Sequence, residues 1–398
     1  MSSDLPREII MEILIRLLVK PLLRFRCVSM SWYAMIDSKN FINRHVKHSI
    51  ETTTNHHVIL EDWKIETVGC PTTIFSASID EGLGGPLKVM STPLSCRSET
   101  LYSDSCNGLI FVCNSFEAIA LWNPFTRRYR KIPTMPYEPS KIYLEGQPIF
   151  GFGYDNAHDD YKIVRIMRFH PKESMKAHED EVQVYSLRTN TWRRVQDFPH
   201  AECLFVSGCG AFASGASHWM VYMPTGNLDD MDVATNNLDD KDAYRLVAFD
   251  YVKEEFQVLP QPEYTKMFDH NIIVALIGCV CLASNIYVQD GSYTAVHEMK
   301  RYGLRDSWNK SCTVKEADID MPCEIGNAKP LMYSKGGDKM LLEVAYGKGF
   351  RSLIWYDLLE KKGSTVEIPD IPCRFTPVVC LESLVRLGED DEFDGVYC

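Results

Sequence analysis

Residues 5–45 read LPREIIMEILIRLLVKPLLRFRCVSMSWYAMIDSKNFINRH. The recurrence of Ile9, Ile13 and Leu17, together with Ile10 and Leu14, predicts a helix with one wide apolar stripe. Segments of about 40 residues rarely fold without support from elsewhere. This helical module therefore needs another surface to cover its apolar residues.

Helix ends are marked by polar and proline residues in the same run. Asp4 is expected to cap the first helix and Pro6 to stand in its first turn, where proline is tolerated. Pro21 is expected to break or restart the helical run. Further helical turns are predicted at residues 34–36 and 41–46.

Composition is that of a globular protein, with 45% hydrophobic and 24% charged residues among 398. The net charge is −12, yet residues 1–50 carry +4 and the remainder carries −16. This acidity argues against nucleic acid as a partner and against attraction to an anionic membrane. A basic head on an acidic body favours an acidic partner for the head, because charges at an interface rim raise association rates.

Neither secretion nor membrane insertion is expected. Charged side chains such as Arg7, Glu8 and Glu12 interrupt the apolar positions that a signal peptide would need. The longest apolar run, Ile272–Ala283, is too short to cross a bilayer as a helix and fits a buried strand. The 14 cysteines include no C-x-x-C pair, which favours reduced, buried thiols over a metal site. We therefore expect a cytoplasmic and/or nuclear protein.

The head resembles an F-box over residues 4–45, with Leu5-Pro6-x-Glu8-Ile9, Glu12-Ile13-Leu14-x-Arg16-Leu17 and Leu22-Leu23-Arg24-Phe25-Arg26-Cys27-Val28-Ser29-x-Ser31-Trp32 in register. The resemblance implies three short helices that dock on a Skp1-type adaptor. It also implies that the adaptor face, or the core beneath it, is supplied by Leu5, Pro6, Ile9, Ile13, Leu14, Leu17, Leu22, Leu23, Val28 and Trp32. The chain departs from the pattern at Leu18, where the family has proline, so the helix break is expected to move by up to three residues, toward Pro21.

The body, residues 47–388, predicts an all-β domain. Short strand-like runs are separated by turn signals, and one pattern repeats: an apolar triplet ending in an aromatic residue, a turn former, a charged segment and a second strand. Its aromatic positions are 122, 185, 249, 302 and 356, at intervals of 63, 64, 53 and 54. These intervals approach one four-stranded propeller blade plus loops. A more degenerate unit at His57–Val89 brings the number of blades to six.

A leading strand is expected in each repeat. The predicted strands are Gly108–Val112, Phe150–Tyr154 with Lys162–Met167, His218–Tyr222, Ala275–Leu282, and Pro330–Tyr333 with Lys339–Val344. Pro377–Leu387 is expected to pair with the first unit and close the ring, which would protect strand edges. Residues 389–398 are expected to form an acidic tail.

The repeats have a family resemblance of their own, carried by Cys106–Ile110, Trp122–Arg127, Gly151–Asp155 with Asp160–Val164, Gly215–Trp219, and Met299–Gly303 with Ser307-Trp308. They resemble plant F-box proteins with an F-box-associated, kelch-like domain. Members of that family are substrate receptors of SCF ubiquitin ligases. The resemblance is to the branch that restrains plant immunity, with the S-locus pollen-recognition branch as a near neighbour.

Catalytic interpretations of individual residues are weak. Gly151-Phe152-Gly153 lacks a third glycine and a following helix, so a blade strand entering a turn is favoured over a dinucleotide loop. His218 follows small residues in a strand and is expected to be a packed, hydrogen-bonded side chain. We expect no catalytic residue, no metal site and no cofactor.

Two acidic segments, 227–242 and 389–394, are expected to be solvated spacers, because blocks of like charge repel. Specificity for a client is expected in loops between strands, such as Met135–Gly146, Phe169–Glu181 and Pro224–Ala243. The client itself is not identifiable from the sequence.

These patterns favour a non-enzymatic receptor that joins a Skp1-type adaptor, and through it cullin and RING subunits, to a protein client for ubiquitination and proteasomal degradation. One alternative is a scaffold without ubiquitin transfer, in which Leu18 marks a decayed head. The other is a propeller hydrolase, which would require polar residues converging at the ring axis.

Overall fold

The computed structural model describes residues 5–62, 73–80, 83–90, 93–94, 102–113, 118–133, 143–145, 148–171, 179–199, 203–223, 244–262, 270–276, 278–289, 291–321, 324–347, 349–388 and 391–393. Four helices precede strands that form six sheets. The chain divides into two compact units. Unit 1 comprises residues 1–132, 334–336 and 367–398, and unit 2 comprises residues 133–333 and 337–366.

The helices of unit 1 are α1 Arg7–Leu14, α2 Val19–Phe25, α3 Met30–Ile36 and α4 Lys39–Thr52. Pro6 precedes α1 in an extended conformation, and the predicted cap Asp4 lies outside the described residues. Pro21 lies in the first turn of α2, where its missing N–H removes no helical hydrogen bond. The prediction that Pro21 restarts the helical run is confirmed.

The ends of α3 and α4 follow from local capping. The Ser29 hydroxyl accepts from the Trp32 N–H at 3.2 Å, and the Ser38 hydroxyl accepts from the Phe41 N–H at 3.2 Å. The fourth helix continues to Thr52 and ends at Thr53 in the left-handed conformation. The predicted boundary after residue 46 therefore falls inside α4.

Unit 1 contains two sheets, which we number as blades 1 and 2. Blade 1 has the order β26-β1-β2-β3, and blade 2 has the order β27-β7-β6-β5-β4. Their strands are β1 His56–Asp62, β2 Ile74–Ser78, β3 Lys88–Met90, β4 Tyr102–Cys106, β5 Leu109–Cys113, β6 Ile119–Asn123, β7 Arg128–Lys131, β26 Phe375–Leu381 and β27 Glu392–Phe393.

Blade 1 is built from both ends of the β-domain. β26 pairs antiparallel with β1, with Val58 opposite Val379. The predicted pairing of Pro377–Leu387 with the first unit is confirmed, although the strand ends at Leu381. Pairing the last long strand with the first removes an exposed edge from each.

Unit 2 contains blades 3 to 6. Blade 3 holds β8–β12, blade 4 holds β13–β17, blade 5 holds β18–β21 and blade 6 holds β22–β25. Their strands are β8 Tyr143–Glu145, β9 Ile149–Asp155, β10 Asp160–Pro171, β11 Glu179–Ser186, β12 Thr191–Arg194, β13 Leu204–Phe205, β14 Ala211–Ala213, β15 Ala216–Tyr222, β16 Tyr244–Asp250, β17 Glu255–Leu259, β18 His270–Leu276, β19 Cys279–Val288, β20 Gly291–Met299, β21 Trp308–Lys315, β22 Ile325–Tyr333, β23 Lys339–Tyr346, β24 Phe350–Asp357 and β25 Lys362–Thr365. The predicted fold class, a small helical module followed by a six-bladed β-propeller, is confirmed.

The repeated turn former acts through its side chain. Oδ1 of Asn123, Asp250 and Asp357 each accepts two backbone N–H bonds from residues two and three positions further on. These Asx turns join β6 to β7 in blade 2, β16 to β17 in blade 4 and β24 to β25 in blade 6. The aromatic residue before each turn is buried, which explains why the pattern recurs.

The prediction that Tyr302 is the repeated aromatic residue of blade 5 is wrong. Met299, not Tyr302, occupies the position of the aromatic residue, because Met299 pairs with Trp308 as Trp122 pairs with Tyr129. Tyr302 lies in the longer turn that follows β20. The prediction that Ala275–Leu282 is one strand is also wrong, because a turn at Gly278, with φ +72°, separates β18 from β19.

Close packing between neighbouring blades of unit 2 explains two glycines. A Cβ on Gly151 would meet Trp219 at 2.8 Å, and one on Gly153 would meet Phe212 and Tyr251 at 2.4 Å. Both glycines lie within β9, as the blade-strand interpretation predicted. Among the described residues, no helix is long and apolar enough to cross a membrane.

Candidate adaptor-binding surface and client-facing end

Helix α1 has one buried face and one exposed apolar face. Leu14 is buried, and Ile15, which follows the helix, is buried as well. Ile9 and Ile13, four residues apart, remain 46% and 50% exposed, and Leu5 ahead of the helix is 58% exposed. The wide apolar stripe therefore serves both the core of the module and its outer surface.

Further apolar side chains are exposed on the segments that follow. Val28 is 62% and Met30 is 82% exposed, at the turn between α2 and the start of α3. Leu18 and Tyr33 are also exposed. We call the seven residues Leu5, Ile9, Ile13, Leu18, Val28, Met30 and Tyr33 the exposed apolar set. Large apolar side chains concentrated in so short a segment are typical of an interaction surface.

The structure divides the ten predicted adaptor-binding residues into three groups. Leu5, Pro6, Ile9, Ile13 and Val28 are exposed; Leu17, Leu23 and Trp32 are partly buried; Leu14 and Leu22 are buried. Leu14 and Leu22 thus belong to the core of the module, with Val19, Ile36 and Phe41. Sequence reasoning missed Leu18, Met30 and Tyr33, whose exposure follows from where the helices begin and end.

Leu18 occupies the position where the F-box pattern has proline. Its φ is −63° and its ψ is 157°, and proline would fix φ near the same value. Leu18 directly precedes α2, so the chain makes the expected loop without the proline ring. The substitution therefore leaves this loop compatible with the family pattern.

Polar contacts within unit 1 attach the helical module to blade 1. Asp37, after α3, forms ion pairs with both Arg26 and Arg386. Partial burial alone would raise the pKa of Asp37, but the two guanidinium groups outweigh it and lower that pKa. Asn55 donates to Ser49 of α4 at 2.8 Å, and its carbonyl accepts from the Glu382 N–H at 2.7 Å.

His45 stabilises the loop between α1 and α2 through a hydrogen bond to the backbone. It is fully buried, and its Nε2 lies 2.9 Å from the Leu17 carbonyl oxygen. Burial lowers the pKa of His45, against the opposing effect of that carbonyl. The neutral ring therefore donates Nε2–H to Leu17, which holds the chain between the exposed Ile13 and Leu18.

A second candidate surface lies at one end of blades 3 and 4. β10 pairs with β9 up to Ile166 and with β8 beyond it, while β13 pairs with the end of β15. The Phe150 N–H donates to the Gly208 carbonyl at 2.8 Å, which aligns the two blades. Two of the predicted client loops, Phe169–Glu181 after β10 and Pro224–Ala243 after β15, therefore join strands at the same end of these blades.

The described parts of those loops are strands rather than loops. Residues 143–145, 169–171 and 179–181 belong to β8, β10 and β11. The other residues of the predicted loops, and the whole acidic segment 227–242, lie outside the described residues. The difference from the predicted loop Phe169–Glu181 is the length of the β10–β11 hairpin, because its strand pairing continues to Phe169 opposite Glu179.

Arg168 fixes the geometry of this end. Its guanidinium binds Asp180 through two contacts of 2.8 and 2.9 Å, donates to the Cys203 carbonyl, and lies 5.8 Å from the centre of the Phe205 ring. Burial raises the pKa of the Cys203 thiol to about 11, so this thiol stays protonated. Leu204 beside it is exposed.

The residues considered for catalysis have structural partners. His218 lies 3.1 Å from the Ala211 carbonyl through Nδ1 and 3.0 Å from the Tyr302 hydroxyl through Nε2. Burial lowers the pKa of His218 to about 4. The packed, hydrogen-bonded histidine that the sequence predicted is confirmed. In the part of the chain that the structure describes, no three His, Cys, Asp or Glu side chains are grouped to hold a metal ion.

Comparison with known families matches both regions. Residues 2–44 match the F-box domain, and residues 81–381 match the F-box associated beta propeller domain. The F-box protein CPR1 of Arabidopsis thaliana is 31% identical over 400 residues, covering 96% of this chain and 89% of that protein. The chain belongs to the F-box proteins with an F-box associated β-propeller domain. The resemblance stated from the sequence is confirmed.

A second F-box relative and a solved structure are also similar to this F-box protein. F-box protein At4g22390 of Arabidopsis thaliana is 28% identical over 397 residues, covering 96% of this chain and 90% of that one. Among solved structures, TolB from Acinetobacter baumannii aligns with a TM-score of 0.46 at 13% identity, covering 86% of this chain and 73% of TolB. The propeller match begins at residue 81, whereas blade 1 of this F-box protein already begins at β1.

Proposed function

We propose that this F-box protein is the substrate-recognition subunit of an SCF-type E3 ubiquitin ligase. The helical module binds a Skp1-type adaptor and, through it, cullin and RING subunits, while the propeller binds a protein client for ubiquitination and proteasomal degradation. The single observation that carries the proposal is the exposed apolar face of α1, formed by Ile9 and Ile13 and extended by Leu5. A helix that already packs its opposite face has no internal reason to expose these residues.

The physical basis of the proposal is effective concentration. A receptor that binds adaptor and client at once turns transfer between separate molecules into a reaction within one assembly. Complete burial of a leucine or isoleucine contributes about 1.5–3 kcal/mol. Ile9 and Ile13 are about half exposed, so complete burial of each adds about 1 kcal/mol, and the other residues of the exposed apolar set add further contributions against the cost of association.

We further propose that the client binds at the end of blades 3 and 4 where the predicted loops Phe169–Glu181 and Pro224–Ala243 join their strands. Arg168 and Asp180 give this end a fixed base, and Leu204 supplies exposed apolar area. Rigid strands that carry variable loops are a common arrangement for recognition. We also propose that the protein acts in the cytoplasm and/or the nucleus, where the adaptor and the proteasome would be available.

Co-purification with a Skp1-type adaptor tests the first step. The double variant L5A/P6A is expected to abolish adaptor binding while the propeller stays folded, as measured by circular dichroism and thermal unfolding. Ile50, exposed on α4, offers a matched control, and I50A should retain the adaptor. Adaptor binding that persists in L5A/P6A would show that the assigned face is wrong.

A reconstituted ubiquitination assay tests the second step. Wild-type protein with adaptor, cullin, RING subunit and a client captured by proximity labelling under proteasome inhibition should yield ubiquitinated client. L5A/P6A should yield none although it still binds the client. Adaptor binding without transfer to any captured client would favour the scaffold alternative.

A further inference from the structure

The C-terminal segment adds a fifth strand to blade 2. β27 pairs antiparallel with β7, with Glu392 opposite Tyr129 and Phe393 opposite Arg128. Without β27, β7 would be the edge strand of this blade. This differs from the expectation of a solvated spacer, because residues 391–393 lie against the sheet.

The two strands are chemically complementary. Residues 127–131 read RRYRK, so β7 lies in a strongly basic stretch, whereas residues 389–394 read EDDEFD. Arg128 contacts Asp391 at 2.5 Å, and the Tyr129 hydroxyl donates to Glu392 at 2.6 Å. The Arg128 guanidinium also lies 5.7 Å from the centre of the Phe393 ring.

Arg130 and Gly388 fix the chain at residues 387 and 388, shortly before β27. Arg130 is buried and donates from Nη1 to the Leu387 carbonyl at 3.0 Å. The next residue, Gly388, has φ +108°, and a Cβ there would lie 2.8 Å from the same Nη1. At this φ, and with the guanidinium so near, Gly388 fits where a residue with a Cβ would be strained.

The contact is also reversible in character. β27 has two residues, Phe393 remains 57% exposed, and the Arg128 side chain is about half exposed. Exposed ion pairs of this kind are weak individually and are weakened further by salt. A segment held in this way competes through its high local concentration rather than through a large interface.

We propose that the β7 edge is a docking site for an extended acidic segment with an aromatic residue, supplied by another protein, and that the C-terminal tail occupies it as a competitor in cis. Backbone pairing with an open edge supplies affinity, and the basic side chains supply selectivity for acidic residues. The site is separate from the helical module, and its test does not depend on the adaptor or on ubiquitin transfer.

Fluorescence anisotropy with a labelled peptide EDDEFDGVY, corresponding to residues 389–397, measures the site directly. In the full chain the tail should hold peptide affinity low. The full-length variant D391N/E392Q/F393A, which weakens the tail, should bind the peptide about tenfold more tightly. The variant G388A, which disturbs the route of the tail, should move affinity in the same direction by a smaller factor. All binding should weaken as salt concentration rises.

Charge reversal on β7 supplies the control. R128E, introduced into the tail variant, should remove peptide binding, and K131E should weaken it. K253E reverses an exposed charge on blade 4 and should leave binding unchanged. Thermal unfolding checks that each variant is folded, and K131E serves if R128E is not. Equal peptide affinity for wild type and the tail variant, absence of binding to both, or binding that survives K131E and R128E would overturn the proposal.

Discussion

Helix α1 and strand β10 carry similar apolar residues and place them in opposite environments. On α1, Ile9 and Ile13 stay half exposed, while on β10 Ile163 and Ile166 are fully buried. Neighbouring strands pair with both edges of β10, and Val164 and Ile166 pack with residues of blade 4 in one hydrophobic cluster, whereas α1 is covered on one face only. An exposed isoleucine therefore has different meanings in the two regions. In the helical module it marks a surface for a partner, and in a blade it would mark a packing defect.

The largest effect is expected from a core residue of the helical module. Leu22 of α2 is fully buried, so L22A should destabilise this module by about 2–5 kcal/mol through lost transfer energy and a cavity. Hydrogen exchange of the helix amides measures the change. I13A, at an exposed position, should change stability by less than about 0.5 kcal/mol. Equal costs for the two variants would contradict the division of the module into core and surface.

Adaptor affinity should show the opposite ranking. I9A/I13A is expected to weaken adaptor binding by about 30-fold, because the two side chains together lose about 2 kcal/mol of apolar burial in the complex. Isothermal titration calorimetry measures the affinity, and urea unfolding should be unchanged. I50A is the control within the same module. If I50A weakened binding as much as I9A/I13A, the adaptor would contact α4 instead.

Periodicity predicts the apolar stripe on α1, but it does not predict which of its residues are buried and which are exposed. Ile13 and Leu14 are adjacent in sequence and both apolar, yet one is exposed and the other buried. That division depends on which elements pack against α1, such as α4, whose Arg44 contacts Met11 and Glu12, and the spacing of residues in one helix contains no information about it. Leu14 and Leu22 could be assigned to the site region from the motif, but not to its core.

The blades were predictable where local chemistry repeats. Asn123, Asp250 and Asp357 are turn formers that use the same Asx turn, so the pattern found them. Blade 5 lacks that turn. The pattern therefore selects Tyr302, in the longer connection after β20, instead of Met299. β27 could not be predicted, because it has two residues and lies in an acidic stretch without the alternating apolar residues of a strand.

Buried histidines in unit 2 give the next effect, a pH dependence. Burial lowers the pKa of His218 to about 4 from an ordinary 6.5, and burial together with the Lys310 charge lowers that of His297 to about 4. The unfolded chain therefore takes up protons near pH 6.5, before the folded chain does. Stability should be full above about pH 6.5 and fall toward pH 4, by about 1.4 kcal/mol per pH unit for each histidine.

Urea unfolding between pH 7.5 and pH 5, followed by intrinsic tryptophan fluorescence, measures this dependence. H218Q keeps a polar side chain at this position but cannot be protonated in this range. It should lose stability at pH 7.5 yet show a shallower decline toward pH 5 than wild type. An unchanged slope in H218Q would mean that other groups carry the pH dependence.

The smallest effect is expected at Leu18, the position at which the chain departs from the F-box pattern. Leu18 has the φ of a proline, and its side chain belongs to the exposed apolar set. L18P should keep the start of α2 and, by restricting the unfolded chain, stabilise the module by about 0.4–1 kcal/mol. Hydrogen exchange of the α2 amides measures this gain. L18A removes apolar area without fixing φ, and it separates the two contributions to adaptor affinity. If L18P instead destabilised α2, Leu17 would be held in a conformation that cannot precede proline, and this loop would differ from the family pattern after all.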